Sequence, residues 1–222
     1  MKKVIITGGS SGLGYSLSKL FLENDIKVVN LSRTKPNLKG IIHIKTDLSK
    51  ELSLKNSIRI LKLKHSDADV LILNSGLAHW AESGKIKESE IDNDFSVNII
   101  SHIKLTNSLT RIIEKNSGDI IFIGSTASFQ GGFDSSVYAS TKHAVLGFIR
   151  SLQLQMKQKK VRVLGVHPGG FQSNFHIKAK TNLKQEDLMP ANEIANLIFS
   201  FLKLPKSMEI SEIIINRKKL VN

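Results

Sequence analysis

The 222-residue chain contains no cysteine. Disulfides, thiolate nucleophiles and cysteine-ligated zinc are thereby excluded, although the compartment is not fixed, because many cytosolic proteins share this lack. Proline is scarce at four residues, and aromatic side chains make up 6%. No apolar run approaches the ~18 residues needed to cross a bilayer. Met1-Lys2-Lys3 followed by Val4-Ile5-Ile6-Thr7 resembles a secretory leader only briefly, since glycines follow at once and no small-residue cleavage site appears. A cytoplasmic protein with no membrane partner is expected.

Acidic residues are few: 19 Asp and Glu against 32 Lys and Arg, a formal net charge of +13. Such a balance invites a nucleic-acid reading, which predicts submicromolar duplex affinity with a steep salt slope. Only 6 of the 32 cations are arginine, the residue favoured for base edges and bidentate phosphate contacts. The lysines are scattered along the chain, so a solvated basic surface and no nucleic-acid partner are expected. His43, His65, His79, His102, His143, His167 and His176 show no H-x-x-x-H pairing. His65 with Asp67 and Asp69 reads as a solvated loop cluster, and no metal is expected.

What the chain has is alternation. β-Branched apolar runs at 4–7, 26–31, 41–45, 69–73, 119–124, 161–167 and 210–215 read as strands. Between them, amphipathic stretches at 13–23, 48–63, 89–115 (one helix or two abutting), 136–158 and 191–202 read as helices. Continuously apolar strands separated by helices of this length imply parallel crossovers and a sheet covered on both faces. The expectation is an α/β fold: a single domain spanning 1–222, with a doubly wound, parallel, seven-stranded Rossmann sheet. The one long irregular stretch, 169–190, exceeds ordinary loop lengths and is expected to form a substrate loop or lid.

The first strand runs into Thr7-Gly8-Gly9-Ser10-Ser11-Gly12-Leu13-Gly14. Glycines here permit a tight turn and a close approach by phosphate to backbone N–H groups at the positive end of a helix. Position after a strand, at the opening of a helix, points to a dinucleotide site built from Gly8, Ser10, Ser11, Gly12, Leu13 and Gly14. The G-x-x-x-G-x-G spacing resembles the short-chain dehydrogenase/reductase family in its short, non-extended branch, and the resemblance runs from Val4 to Ile215. A seven-stranded Rossmann fold and a nicotinamide cofactor are what it implies.

The second strand ends Asn30-Leu31-Ser32-Arg33, and no acid lies between Asp25 and Asp47. A carboxylate at this point would accept from a ribose 2′-hydroxyl and repel a 2′-phosphate, whereas a cation does the reverse. Ser32 and Arg33 therefore point to NADP(H) in preference to NAD(H), with Ser32 donating to the phosphate and Arg33 pairing with it. Asp47-Leu48 matches the family position beside the adenine, although Asp47 suits a helix cap as well. Leu73-Asn74-Ser75-Gly76 is similar to the family's N-N-A-G, keeping Asn74 and Gly76. Pro168, Gly169, Phe171 and Ser173 stand where the family holds the nicotinamide, with Ser173 replacing a threonine.

Tyr138 and Lys142, four residues apart on an expected helix, share a face. With 26 lysines in the chain that pair alone is weak. Ser125 at a strand end and Asn98 in the preceding long helix give it context. In order and spacing, Asn98, Ser125, Tyr138 and Lys142 match the family's catalytic tetrad. Carbonyl reduction needs a proton on the developing alkoxide, and a phenol with pKa ~10 exchanges it slowly near neutrality. Lowering that pKa by ~3 units takes ~4 kcal/mol, the order supplied by one ammonium at ~4 Å under an effective dielectric of ~20. Lys142 is thus expected to tune Tyr138, assisted by a positively charged nicotinamide, and to hold the nicotinamide ribose. Ser125 would orient the substrate oxygen, and Asn98 would hold a water linking Lys142 to solvent.

Substrate in this fold binds beyond the strand carboxyl ends. His79, Trp80, Phe129, Gln130, Phe133 and Phe175 are the candidates for a partly aromatic pocket taking a small or aromatic ketone, aldehyde or diketone. The helices at 89–115 and 136–158 resemble those that pair in the family's dimer interface, so a homodimer or homotetramer is expected. A competing reading, a catalytically silent NADP-binding regulator, has no need for an activated tyrosine.

Overall fold

A computed structural model of the chain describes residues 1–173, 175 and 185–218. The apolar runs form strands β1 (Lys3–Thr7), β2 (Lys27–Ser32), β3 (Ile42–Lys45), β4 (Val70–Leu73), β5 (Asp119–Ile123), β6 (Arg162–Pro168) and β7 (Glu212–Ile215). All pair in parallel, in the order β3-β2-β1-β4-β5-β6-β7. Every residue of β1, β4, β5 and β6 is buried, as double coverage requires. The edge strands β3 and β7 are short and partly exposed.

Successive strand side chains serve opposite layers. Ile5, Leu71, Leu73, Ile120 and Phe122 pack on one face against Leu54 and Leu61 of α2 (Glu51–Lys64), Leu105 and Leu109 of α4 (Ser101–Lys115), and Val145 and Ile149 of α5 (Ser136–Met156). Val4, Ile6, Ile72 and Ile121 pack on the other face against Leu13, Leu17 and Phe21 of α1 (Gly12–Glu23), and Ile194 and Ile198 of α6 (Ala191–Lys203). Each such side chain contributes roughly 1.5–3 kcal/mol by leaving water. Phe21 and Phe199 meet edge to face at 5.7 Å and join α1 to α6.

Most boundaries fall within two residues of the sequence expectation, and the second helix departs furthest. The second helix starts at Glu51 rather than 48, because the Asp47 carboxylate accepts from the N–H and hydroxyl of Ser49 and holds a turn there. The last strand starts at Glu212, not 210. The stretch 89–115 is two α-helices, α3 (Glu88–Phe95) and α4, joined by a π-helical turn at Ser96–Ile100. Among the described residues no helix is long and apolar enough to cross a membrane.

Sheet order reverses between β1 and β4, with β2 and β3 leading one way and β5 to β7 the other. A crevice opens at such a switch point beyond the strand carboxyl ends.

Candidate active site

That crevice is a cavity of about 580 Å³, running from Ser32 and Arg33 at the end of β2, past the β1–α1 loop, to Tyr138 and Trp80. The loop is shaped by its glycines. Gly8 and Gly12 have φ of +72° and +53°, left-handed values that favour glycine. A Cβ on Gly14 would overlap the Gly8 carbonyl and the Asn74 amide. Gly14 thus lies beneath the cavity rather than in its wall. Asn30, fully buried, accepts the Gly9 N–H at 2.8 Å and fastens the loop to β2. Asn74 donates to the Thr7 carbonyl at 2.9 Å and the Gly8 carbonyl at 3.3 Å, tying the end of β4 to that of β1. Helix α1 begins at Gly12 with no side-chain cap and no acid in its first turn. Its first N–H groups and positive dipole end therefore remain for an anion at the cavity wall, where Ser10, Ser11, Gly12 and Leu13 all lie.

At the other end, Tyr138 and Lys142 project from α5 into the cavity. The Tyr138 hydroxyl lies beside the Ser125 side chain. Ser125 follows β5, and its Oγ accepts the Ala127 N–H at 3.1 Å, capping a short 3-10 turn. Lys142 Nζ donates to the Ile123 carbonyl at 3.1 Å and lies 5.7 Å from the centre of the Tyr138 ring. Asn98, in the π-turn and fully buried, sits behind the wall. It accepts the Leu77 N–H at 2.9 Å and donates to the Leu77 carbonyl at 2.8 Å and to Thr141 Oγ1 at 3.0 Å. Thr141 in turn donates to the Tyr138 carbonyl at 2.7 Å. Leu77, Asn98 and Thr141 thus fix the Tyr138 turn of α5 against the strand β4 exit.

Residues 2–184 match the family model described as short chain dehydrogenase. The chain belongs to the short-chain dehydrogenase family. A 3-oxoacyl-(acyl-carrier-protein) reductase of Buchnera aphidicola is 33% identical over 180 residues, covering 77% of this chain and 73% of that one. A protein of Schizosaccharomyces pombe named NADP-dependent 3-hydroxy acid dehydrogenase is 26% identical over 239 residues, covering 96% and 92%. Among solved structures, an alcohol dehydrogenase of Thermococcus sibiricus complexed with 5-hydroxy-NADP superposes with a TM-score of 0.88 at 20% identity, covering all of both chains. At that identity the superposition speaks for the fold alone.

Seen as a short-chain dehydrogenase, the chain has its expected nucleotide residues Gly8, Ser10, Ser11, Gly12, Leu13, Ser32, Arg33, Asp47, Leu48, Asn74, Gly76, Pro168, Gly169, Phe171 and Ser173 along one cavity. Of the expected substrate residues, His79, Trp80, Gln130 and Phe175 line it too. Phe129 and Phe133 do not. Phe129 turns its ring to His167 at 4.9 Å and Arg150 at 6.0 Å, and Phe133 is 91% exposed. Phe129 is held away from the cavity by those two side chains, and Phe133 sits in an exposed turn. The loop expected over 169–190 lies in good part outside the described residues. Its ends are tied by a bridge between Phe171 and Met189, and Ser173 rests against Gly12.

Two expected roles change. Ser32 Oγ accepts from Asn30 Nδ2 and donates its only hydrogen to the Thr34 carbonyl, both at 2.7 Å, so it has no donor left for a phosphate. The chain's own groups do not make Tyr138 acidic. Burial pushes its pKa up to about 12, and Ser125 only partly opposes this. Burial also brings Lys142 down to about 8. Sequence reasoning overlooked Asn30, Thr141 and Asp94. The first two are buried polar residues whose partners lie 21 and 43 positions away, and no local pattern announces them.

Among the described residues no group of three His, Cys, Asp or Glu is arranged to hold a metal.

Proposed function

We propose that the chain is an NADPH-dependent reductase of small or aromatic carbonyl compounds. One observation carries the reading: a buried tyrosine beside Ser125 shares a cavity with Lys142 one helical turn away and with Arg33 at the far end. The residues fit a nicotinamide dinucleotide. The uncapped start of α1 suits the pyrophosphate, Arg33 a 2′-phosphate, and Lys142 with Asn74 and Gly76 the riboses. The absence of an acid at the end of β2 supports NADPH over NADH, as does the name of the S. pombe relative. Bound there, the cofactor supplies a hydride to carbon.

The protein supplies the proton. With its pKa raised to about 12, Tyr138 is fully protonated near neutrality, the state that can donate to a developing alkoxide. Ser125 shares the oxygen with Tyr138 and orients it. The Lys142 ammonium, charged below about pH 8, favours the phenolate once the proton has left. Asn98 and Thr141 hold the tyrosine in place. Incubating the protein with NADPH and a panel of aldehydes and diketones, and following NADPH absorbance, tests the reading. Oxidation with any of them supports it, and none with any supports a silent cofactor-binding regulator instead.

The protein is further proposed to act as a homodimer or homotetramer. Ile100 and Ile103 at the start of α4, and Leu154 on α5, are exposed apolar residues on the helices that the family resemblance assigns to pairing. Sedimentation at micromolar concentration checks this, and a monomer would contradict it.

A further inference from the structure

The substrate end of the cavity is mostly apolar: Ala78, Ala127, Trp80 and Phe175 surround Tyr138. One polar pair interrupts it. Asp94, near the end of α3, has no exposure at all, yet carries a carboxylate. Among the described residues its only partner is His79. Oδ2 accepts the His79 backbone N–H at 3.1 Å, and Oδ1 lies 2.6 Å from the ring Nδ1. Among the described residues no lysine or arginine pairs with it.

A buried carboxylate with a single side-chain partner is costly, and burial lifts the Asp94 pKa accordingly. A proton shared between Asp94 and the ring removes the uncompensated charge. Nδ1 is committed to Asp94, and Nε2–H is then presented at the opposite edge of a ring that lines the cavity and is a third exposed. The other ionisable groups around the pair are Glu90 on its own helix, with Tyr138 and Lys142 on α5. Among the described residues Lys142 donates to the Ile123 carbonyl and has no carboxylate partner. Once Asp94 is matched by His79, the surplus fixed charge facing the cavity is positive, and the two donors suit an acid rather than a second cation.

We propose that the His79–Asp94 pair recognises an acidic group on the substrate, so that the preferred substrate is an oxo acid, a carbonyl compound bearing a carboxylate beyond the reacting carbon. His79 touches that carboxylate, and Asp94 positions the ring. This rests on the reductase reading and narrows its substrate class.

The test compares acetoacetate with methyl acetoacetate at saturating NADPH. In the wild type, KM for the acid should lie well below that for the ester. The double variant His79→Leu/Asp94→Leu removes the pair without leaving one partner stranded in the interior. It should raise KM for the acid about ten- to a hundredfold, the worth of one charge-assisted hydrogen bond, and so raise the acid-to-ester KM ratio. Asp94→Asn, which keeps an acceptor for the ring but not the charge, should raise the acid's KM in the same direction. An acid-to-ester KM ratio unchanged in both variants overturns the proposal, as does a wild type that prefers the ester. Reduction of the ester with no preference for the acid would sink this inference alone, whereas no turnover of either substrate, or of any diketone, would sink the reductase reading with it.

Discussion

Replacing Lys142 by methionine should make the protein inactive and more stable. Lys142 is 3% exposed, and burial lowers its pKa from 10.5 to about 8. At neutral pH the charged form therefore costs the folded chain about 3 kcal/mol relative to the unfolded one. The folded state holds this proton less tightly than the unfolded state does. The full cost is present below pH 8, and stability recovers as pH rises from 8 towards 10.5. Lys142→Met removes the charge and keeps an unbranched apolar side chain. It also loses the hydrogen bond to the Ile123 carbonyl, worth about 1 kcal/mol. The variant should be about 2 kcal/mol more stable than wild type at pH 7 and nearly equal to it at pH 9.5, where roughly 2 kcal/mol of the cost has already been relieved. Urea unfolding at the two pH values measures both differences. A variant no more stable at pH 7, or an advantage that persists at pH 9.5, would refute the assigned cost. The protein would then hold its site lysine without a stability–activity trade-off.

Arg33→Ala should weaken NADPH binding about tenfold or more and NADH binding less than about twofold, read by fluorescence titration; equal losses for both would remove Arg33 from the phosphate site. Gly14→Ala places a methyl on the Gly8 carbonyl and Asn74 amide, and should abolish cofactor binding and lower Tm; wild-type values of both would contradict the close packing. Burial takes the pKa of His102 down to about 3 from 6.5, and its ring nitrogens have no hydrogen-bond partner among the described residues. The folded state resists this proton, so stability falls as pH drops below 6.5, by about 3 kcal/mol at pH 4.5. His102→Leu should unfold at a lower pH than wild type, and an unchanged acid midpoint would show that another group controls acid unfolding.

Fold and cavity were legible in the sequence to the extent that they depend on local pattern. Runs such as Val70–Leu73 can only be strands buried on both faces, and the glycine loop between β1 and α1 locates the switch point. Tyr138 and Lys142 were legible because helical spacing alone brings them together. Less legible were contacts made across the sheet. Nothing near Asn98 announces that its amide will close on Leu77 and Thr141, and Asp94 sits in an acidic run, Asp92-Asn93-Asp94, that reads as solvated. Phe129 and Phe133 were misplaced because chain order between Ser125 and Tyr138 says nothing of which way a loop side chain turns. The tyrosine's charge state was misjudged for a similar reason: spacing promised an ammonium nearby, but burial and the Asp94 carboxylate push the phenol up and Ser125 only partly opposes them.

The most direct measurement is single-turnover reduction of a diketone by Tyr138→Phe beside the wild type, with NADPH affinity determined for each. Loss of the phenolic proton should slow reduction about 10²–10⁴-fold while the NADPH Kd stays within about twofold. Equal rates in the two proteins would show that the proton comes from elsewhere and that Tyr138 is a wall residue of a cofactor pocket.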